Sequence, residues 1–201
     1  MVEAMAAIMS LEEVRVFSPT RSHCESFVQR MTEGLGLQVV PCASAEEVAS
    51  GVDILASCTD SNEPTISADW LRPGMHVSTV TSWEAEPRCW DRVDRWVRYP
   101  SESTQHHYTA APNLRPAVTG GFTDRVFKWA EKLPAPRQLT LERVIAGIEP
   151  GRESDEEITL YFSEGSGVQF AVAASLIYAE AKSRGLGREL PVEWFLESIR
   201  D

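Results

Sequence analysis

Short strands and helices alternate from Met1 to Val80, and this alternation limits the fold more than any other feature of the chain. Met1 to Met9 is rich in Ala and Met and free of breakers, so it reads as a helix already under way at the first residue. Glu13 to Phe17 alternates and reads as a strand, stopped by Ser18-Pro19-Thr20. Arg21 to Glu33 follows as a helix that Gly34 and Gly36 end. Leu37 to Val40 is the next strand, and Ser44 caps a short helix through Ala49. Val52 to Ala56 is a third strand, leading into the polar loop Ser57 to Pro64. Asp69 to Leu71 is a helical turn, and Gly74 leads into a strand over Met75 to Val80. Strands separated by helices of this length imply an α/β fold with a parallel sheet and right-handed crossovers.

The remainder is less regular. Arg95 to Tyr99 reads as a further strand. Prolines and glycines divide 110–137 into loops and a short helix over Asp124 to Lys132. Leu139 to Gly147 is expected to be helical, and Ile158 to Phe162 a strand. Val168 to Arg184 is an apolar helix with Gly185 and Gly187 just past its end.

Charge and cysteine usage narrow the function. Thirty acidic residues against 19 basic ones give a net charge of −11, which argues against nucleic acid as a partner. Cys24, Cys42, Cys58 and Cys89 form no C-x-x-C pair, so they are expected to be reduced thiols of a cytoplasmic protein. Val168 to Tyr178 falls far short of the ~20 apolar residues a membrane span needs, and the N-terminus lacks the basic region of a signal peptide. His106 and His107 are adjacent, so they point apart, and no other ligand spacing suggests a metal.

In an open α/β sheet, ligands bind beyond the carboxyl ends of the strands. Three loops qualify. Ser18, Thr20 and Ser22 surround Arg21 after the first strand, where a dinucleotide fold would place an acid for the ribose 2′-hydroxyl. Hydroxyls with a guanidinium suit a 2′-phosphate; a plain strand–helix turn with Thr20 as cap is the alternative. Cys58, Thr59 and Ser61 form a small hydroxyl-rich loop that suits close approach of a cofactor, or an Asx/Ser turn. The third loop, Thr79 to Glu84, contains the remaining cofactor-facing candidate, Val80. His76 reads as a packed residue rather than a catalyst. No catalytic residue is assigned, and no G-x-G-x-x-G/A run is present.

Three segments carry a resemblance: VRVFSPT, CTDSNEPTISADWLRPGMHVSTV, and GRESDEEITLYFSEGSGVQFAVAASLIYAEAKSRGLGRELP. Together they resemble the ornithine cyclodeaminase/μ-crystallin family over most of 1–82 and 139–197. The resemblance implies an oxidoreductase that uses NAD or NADP at the α-carbon of amino or imino acids, with a homodimer possible. It implies an incomplete Rossmann-like parallel sheet, lacking the first strand and the glycine turn, over 1–138. Residues 139–201 would then contribute a strand and helices to the substrate and dimerisation part. Trp83 stands by spacing where cyclodeaminases carry a catalytic Asp. With no acid after Phe17, the resemblance favours NADP(H) over NAD(H).

Three readings stay open: a truncated, inactive portion of an oxidoreductase, a non-catalytic cofactor-binding or regulatory subunit, and a small enzyme on a rearranged fold. In the usual Rossmann order, 3-2-1-4-5-6, Glu13–Phe17 and Val52–Ala56 would flank the missing central strand. They are expected to close up and pair directly, because unpaired buried edge groups cost ~1–3 kcal/mol each.

Overall fold

The computed structural model describes residues 1–98, 138–163 and 167–195. The chain divides into two compact units, Met1–Ser163 and Glu164–Asp201.

The first unit opens with helix α1 (Val2–Ile8), strand β1 (Val14–Val16) and helix α2 (Arg21–Leu35). Gly36 ends α2 in the left-handed region, with φ of 66°, where a side chain would be strained. Strand β2 (Val39–Pro41) and helix α3 (Ala45–Ala49) follow, and the Ser44 hydroxyl caps α3 by accepting from Glu47 N at 3.1 Å. Strands β3 (Ile54–Ser57) and β4 (His76–Thr79) come next, then the short helix α4 (Cys89–Arg92) and strand β5 (Arg95–Arg98). The unit closes with β6 (Gln138–Thr140), helix α5 (Leu141–Ile145) and β7 (Thr159–Phe162).

Among the described residues every ladder is parallel. Strands β1 and β2 form one sheet, and the other five pair in the order β3-β4-β7-β5-β6. One face of the larger sheet carries Leu55, Val77, Leu160, Phe162 and Trp96, all buried. Trp90 packs edge-on against Trp96, with ring centroids 5.1 Å apart, and Trp96 stacks on Phe162 at 5.4 Å. Arg95, buried at the start of β5, pairs with Glu157 at 3.1 Å and with Glu153. The Asp94 carboxylate accepts from Ile158 N at 2.9 Å, fixing β5 against β7. Gly74, at φ of 82°, turns the chain into β4 so closely that an added Cβ would lie 2.7 Å from the Asp155 carbonyl oxygen.

Two expectations are corrected. Strands β1 and β3 do not pair: no ladder joins the segments 13–17 and 52–56, and the two sheets stay separate. All three β1 residues are only half-buried, and Ala56 on β3 is exposed, so water reaches these edges and the cost of leaving them unpaired is small. The Arg15 guanidinium instead donates to the Ser50 carbonyl beyond α3. The second correction concerns Leu139 to Gly147, expected to be wholly helical. Its start belongs to β6, because Leu139 pairs in register with Val97 and is buried, and the helix begins only at Leu141. The expected helix over Asp124 to Lys132 lies outside the described residues.

The second unit holds helix α6 (Gly167–Ser183) and a 3-10 turn over Val192–Trp194. Phe170, Leu176, Ile177 and Tyr178 on α6 are exposed. Among the described residues no helix is long and apolar enough to cross a membrane.

Candidate functional site

The carboxyl ends of β3 and β4 are held together by one side chain. Glu84 lies in a 3-10 turn, Ser82–Glu84, and is fully buried at 0% exposure. Its Oε1 accepts from the Ser57 hydroxyl, the Thr59 hydroxyl and Thr59 N, each at 2.8 Å. Its Oε2 accepts from Val80 N at 2.8 Å and Thr81 N at 2.9 Å. The Glu84 carbonyl takes Thr65 N and Ile66 N at 2.8 and 2.9 Å, so the same residue also closes the far end of the β3 loop. Burial pushes the carboxyl pKa up, but the donors from Thr81, Ser57 and Thr59 outweigh it and hold the group below its ordinary value. The charged form is therefore the one this pocket is built around.

A second bond links the same loops. The Trp83 indole N–H donates to the Ser61 carbonyl at 3.0 Å. Ser61 is itself part of a tight turn, its hydroxyl donating to the Glu63 carbonyl at 2.8 Å. Of the sequence candidates, Thr59, Ser61 and Val80 are thus brought into one platform, with the Val80 side chain left 38% exposed at the edge of the sheet. Cys58 lies on the same loop, exposed, with Sγ 3.7 Å from the Met1 sulfur.

Ser18, Thr20, Arg21 and Ser22 stand at the carboxyl end of β1 and the start of α2. The side chain of Thr20 makes no cap bond, but its carbonyl accepts from His23 N at 3.0 Å, so of the first turn of this 15-residue helix the N–H groups of Arg21 and Ser22 are the ones left for a ligand. Arg21 extends into solvent and pairs with Glu25 at 2.7 Å. No hydrogen bond among the described residues joins this group to the Glu84 platform.

His76 lies at the opposite end of β4. Its Nδ1 meets the Thr159 hydroxyl at 2.7 Å, and burial, then the nearby Arg152, lowers its pKa. It borders a cleft of about 480 Å³ that Val97, Leu141 and Val144 line from β5 and α5. No described group of three His, Cys, Asp or Glu residues is placed to hold a metal.

Sequence reasoning missed Glu84 as the organising residue. The signal was present as Thr81-Ser82-Trp83-Glu84, the T-x-x-E spacing in which a glutamate reaches back to the N–H of the residue three before it. Its reach to Ser57 and Thr59 is a tertiary contact that no local pattern encodes.

Comparisons with known proteins agree with this architecture. Alanine dehydrogenase of Archaeoglobus fulgidus and a Delta(1)-pyrroline-2-carboxylate reductase of Bacillus cereus are each 27% identical over 190 residues, covering 94% of this chain and 55% of theirs. The ketimine reductase mu-crystallin of Macropus fuliginosus is 25% identical over 169 residues, covering 84% of this chain and 47% of its own. Among solved structures, Delta(1)-pyrroline-2-carboxylate reductase of Thermococcus litoralis, in complex with NADH and L-proline, superposes with a TM-score of 0.72 at 23% identity. That match covers 94% of this chain and 56% of the other. An archaeal alanine dehydrogenase dimer with bound NAD superposes at 0.67 and 24% identity, covering 94% and 56%. The chain therefore spans about half the length of the relatives it matches. The ornithine cyclodeaminase/mu-crystallin family model matches residues 1–185, a stretch that takes in both strand-end loops and the Glu84 platform, and the chain belongs to that family.

Proposed function

We propose that this chain is the nicotinamide-cofactor part of an oxidoreductase acting on amino or imino acids. The observation that carries the reading is the Glu84 platform. Five donors on one buried carboxylate fix Ser57–Thr59 and Val80–Thr81 as a single rigid surface at the carboxyl edge of a parallel sheet. Val80 offers an exposed apolar side chain there, suited to the face of a nicotinamide ring. The donors after β1 suit the other end of a dinucleotide: the N–H groups of Arg21 and Ser22, the Ser18, Thr20 and Ser22 hydroxyls, and the Arg21 guanidinium. The nicotinamide supplies a hydride when bound; the residues described here bind and orient it.

The reading extends to cofactor choice and reaction. No acid follows Phe17, and Arg21 is free to exchange its exposed Glu25 partner for a phosphate, which supports NADP(H) over NAD(H). Trp83, committed to Ser61, stands where an acid would serve cyclodeamination, which supports reduction instead. Spanning about half of its relatives' length, the chain alone is proposed to bind cofactor without turning over substrate. The exposed apolar residues of α6 support pairing with a second copy, readable by sedimentation.

The test is a pair of titrations, NADPH and NADH, on the chain and on Arg21→Ala. A charge-assisted phosphate contact is worth ~1.5–3 kcal/mol, so the substitution should cost NADPH about tenfold or more and leave NADH unchanged. Equal affinities, unaffected by the substitution, contradict the NADP preference.

A further inference from the structure

The last rung of the five-stranded sheet is unusually polar for a buried row. Ser57 pairs with Thr79, and Thr79 with Phe162. Arg98 follows Val97, which faces Tyr161, so Arg98 comes next to Phe162; its own partner on the other side is Thr140. Ser57 is satisfied by Glu84. The others are not. The Thr79 hydroxyl, the Arg98 Nε and the Thr140 hydroxyl are all buried and have no hydrogen-bond partner. Thr79 is 1% exposed.

Arg98 is the informative member. The chain carries a net charge of −11, and acceptors are plentiful. Arg95, two residues earlier, is neutralised by Glu153 and Glu157. Arg152 donates to the Gly74 carbonyl at 2.9 Å. The described contact of Arg98 is the Trp96 ring, 5.5 Å from the guanidinium carbon. A ring face attracts the cation but takes none of its in-plane N–H groups. The Arg98 Nε–H, a buried cationic donor left unmatched among so many carboxylates, is a place where an acceptor from outside would fit. Thr140 is equally uncommitted: it precedes α5, yet its side chain makes no cap bond.

We propose that Arg98 and Thr140 form a carboxylate-binding subsite at the carboxyl edge of β5 and β6. A guanidinium fork matches a planar carboxylate, and a neighbouring hydroxyl supplies one further donor. Phosphate is the poorer fit, because it calls for several converging donors and the sequence that follows either strand holds no glycine-rich run. The subsite shares the carboxyl edge with the nicotinamide reading but none of its residues, so either can fail without the other.

The experiment is done on the full chain without cofactor. Thermal unfolding and calorimetric titration are followed with pyruvate, L-proline and inorganic phosphate, against chloride at matched ionic strength. Arg98→Met keeps the apolar stem on Trp96 and removes the donors; Thr140→Val removes the hydroxyl. Pyruvate or L-proline should raise the Tm of the unsubstituted chain saturably. Arg98→Met should weaken that response at least tenfold, and Thr140→Val several-fold. No carboxylate response beyond chloride in the unsubstituted chain overturns the proposal, whether or not the variants fold. So does a folded Arg98→Met that binds as the unsubstituted chain does, or a phosphate response tighter than either carboxylate.

Discussion

The buried carboxylate of Glu84 accepts a 2.8 Å hydrogen bond from the Ser57 hydroxyl, tying the turn after β4 to the last residue of β3. Replacing one carboxylate oxygen with an amide nitrogen turns two or three facing donors into repulsive contacts. Glu84→Gln is therefore expected to cost roughly 3 kcal/mol, and Glu84→Ala at least as much, by chemical denaturation. Ser57→Ala removes one donor of five and should cost about 1 kcal/mol. A Glu84→Gln chain as stable as the parent would remove the platform from the account.

Acid sensitivity follows from the same carboxylate. Its folded pKa lies below the unfolded value of about 4.3, so its contribution is complete above that pH and is lost as pH falls through the folded pKa. Glu157 is shifted the same way, chiefly by the Glu153 N–H, which with help from Arg95 overcomes the upward push of desolvation. His76 acts earlier. Burial and Arg152 keep it neutral in the fold, so stability should begin to fall below pH ~6.5, where the unfolded histidine takes up a proton. Unfolding curves across pH 3–7 should lose the upper step in His76→Gln and part of the lower step in Glu84→Gln.

Gly74→Ala combines a φ of 82° with a Cβ only 2.7 Å from the Asp155 backbone carbonyl. Backbone atoms cannot yield as a flexible side chain can. A loss of about 2 kcal/mol or more is expected, read as a lower denaturation midpoint.

Thiol reactivity should report burial directly. Burial pushes the Cys89 pKa up to about 12, and Cys24 is also enclosed, whereas Cys58 is exposed on the candidate site loop. A thiol-specific reagent should label Cys58 first in the folded chain and reach Cys24 and Cys89 only on unfolding. Early labelling of Cys89 contradicts the packing around α4.

Local signals carried much of this structure. Ser44 capped its helix as a serine before a short helical run was expected to, and Gly36 ended α2 in the left-handed conformation. Strand boundaries moved by a residue or two, as at β2, which begins at Val39 rather than Leu37. The failures were tertiary. Leu139 reads as helix until Val97 is known to lie beside it. The separation of β1 from β3 depends on whether water reaches their edges, which no alternation pattern reports. Thr59, Ser61 and Val80 were legible as loop residues at strand ends, but the carboxylate that unites their loops lies far along the chain from Ser57.

The central claim is that the edge organised by Glu84 holds a nicotinamide cofactor. The most direct measurement is a calorimetric titration of the chain with NADPH, repeated on Val80→Asp. This substitution leaves the Val80 backbone donor to Glu84 in place but puts a charge on the exposed apolar position. The account predicts saturable binding to the parent chain and a loss of at least tenfold, about 1.4 kcal/mol, in the variant. No saturable binding to the parent, or a folded Val80→Asp chain that titrates identically, would contradict it.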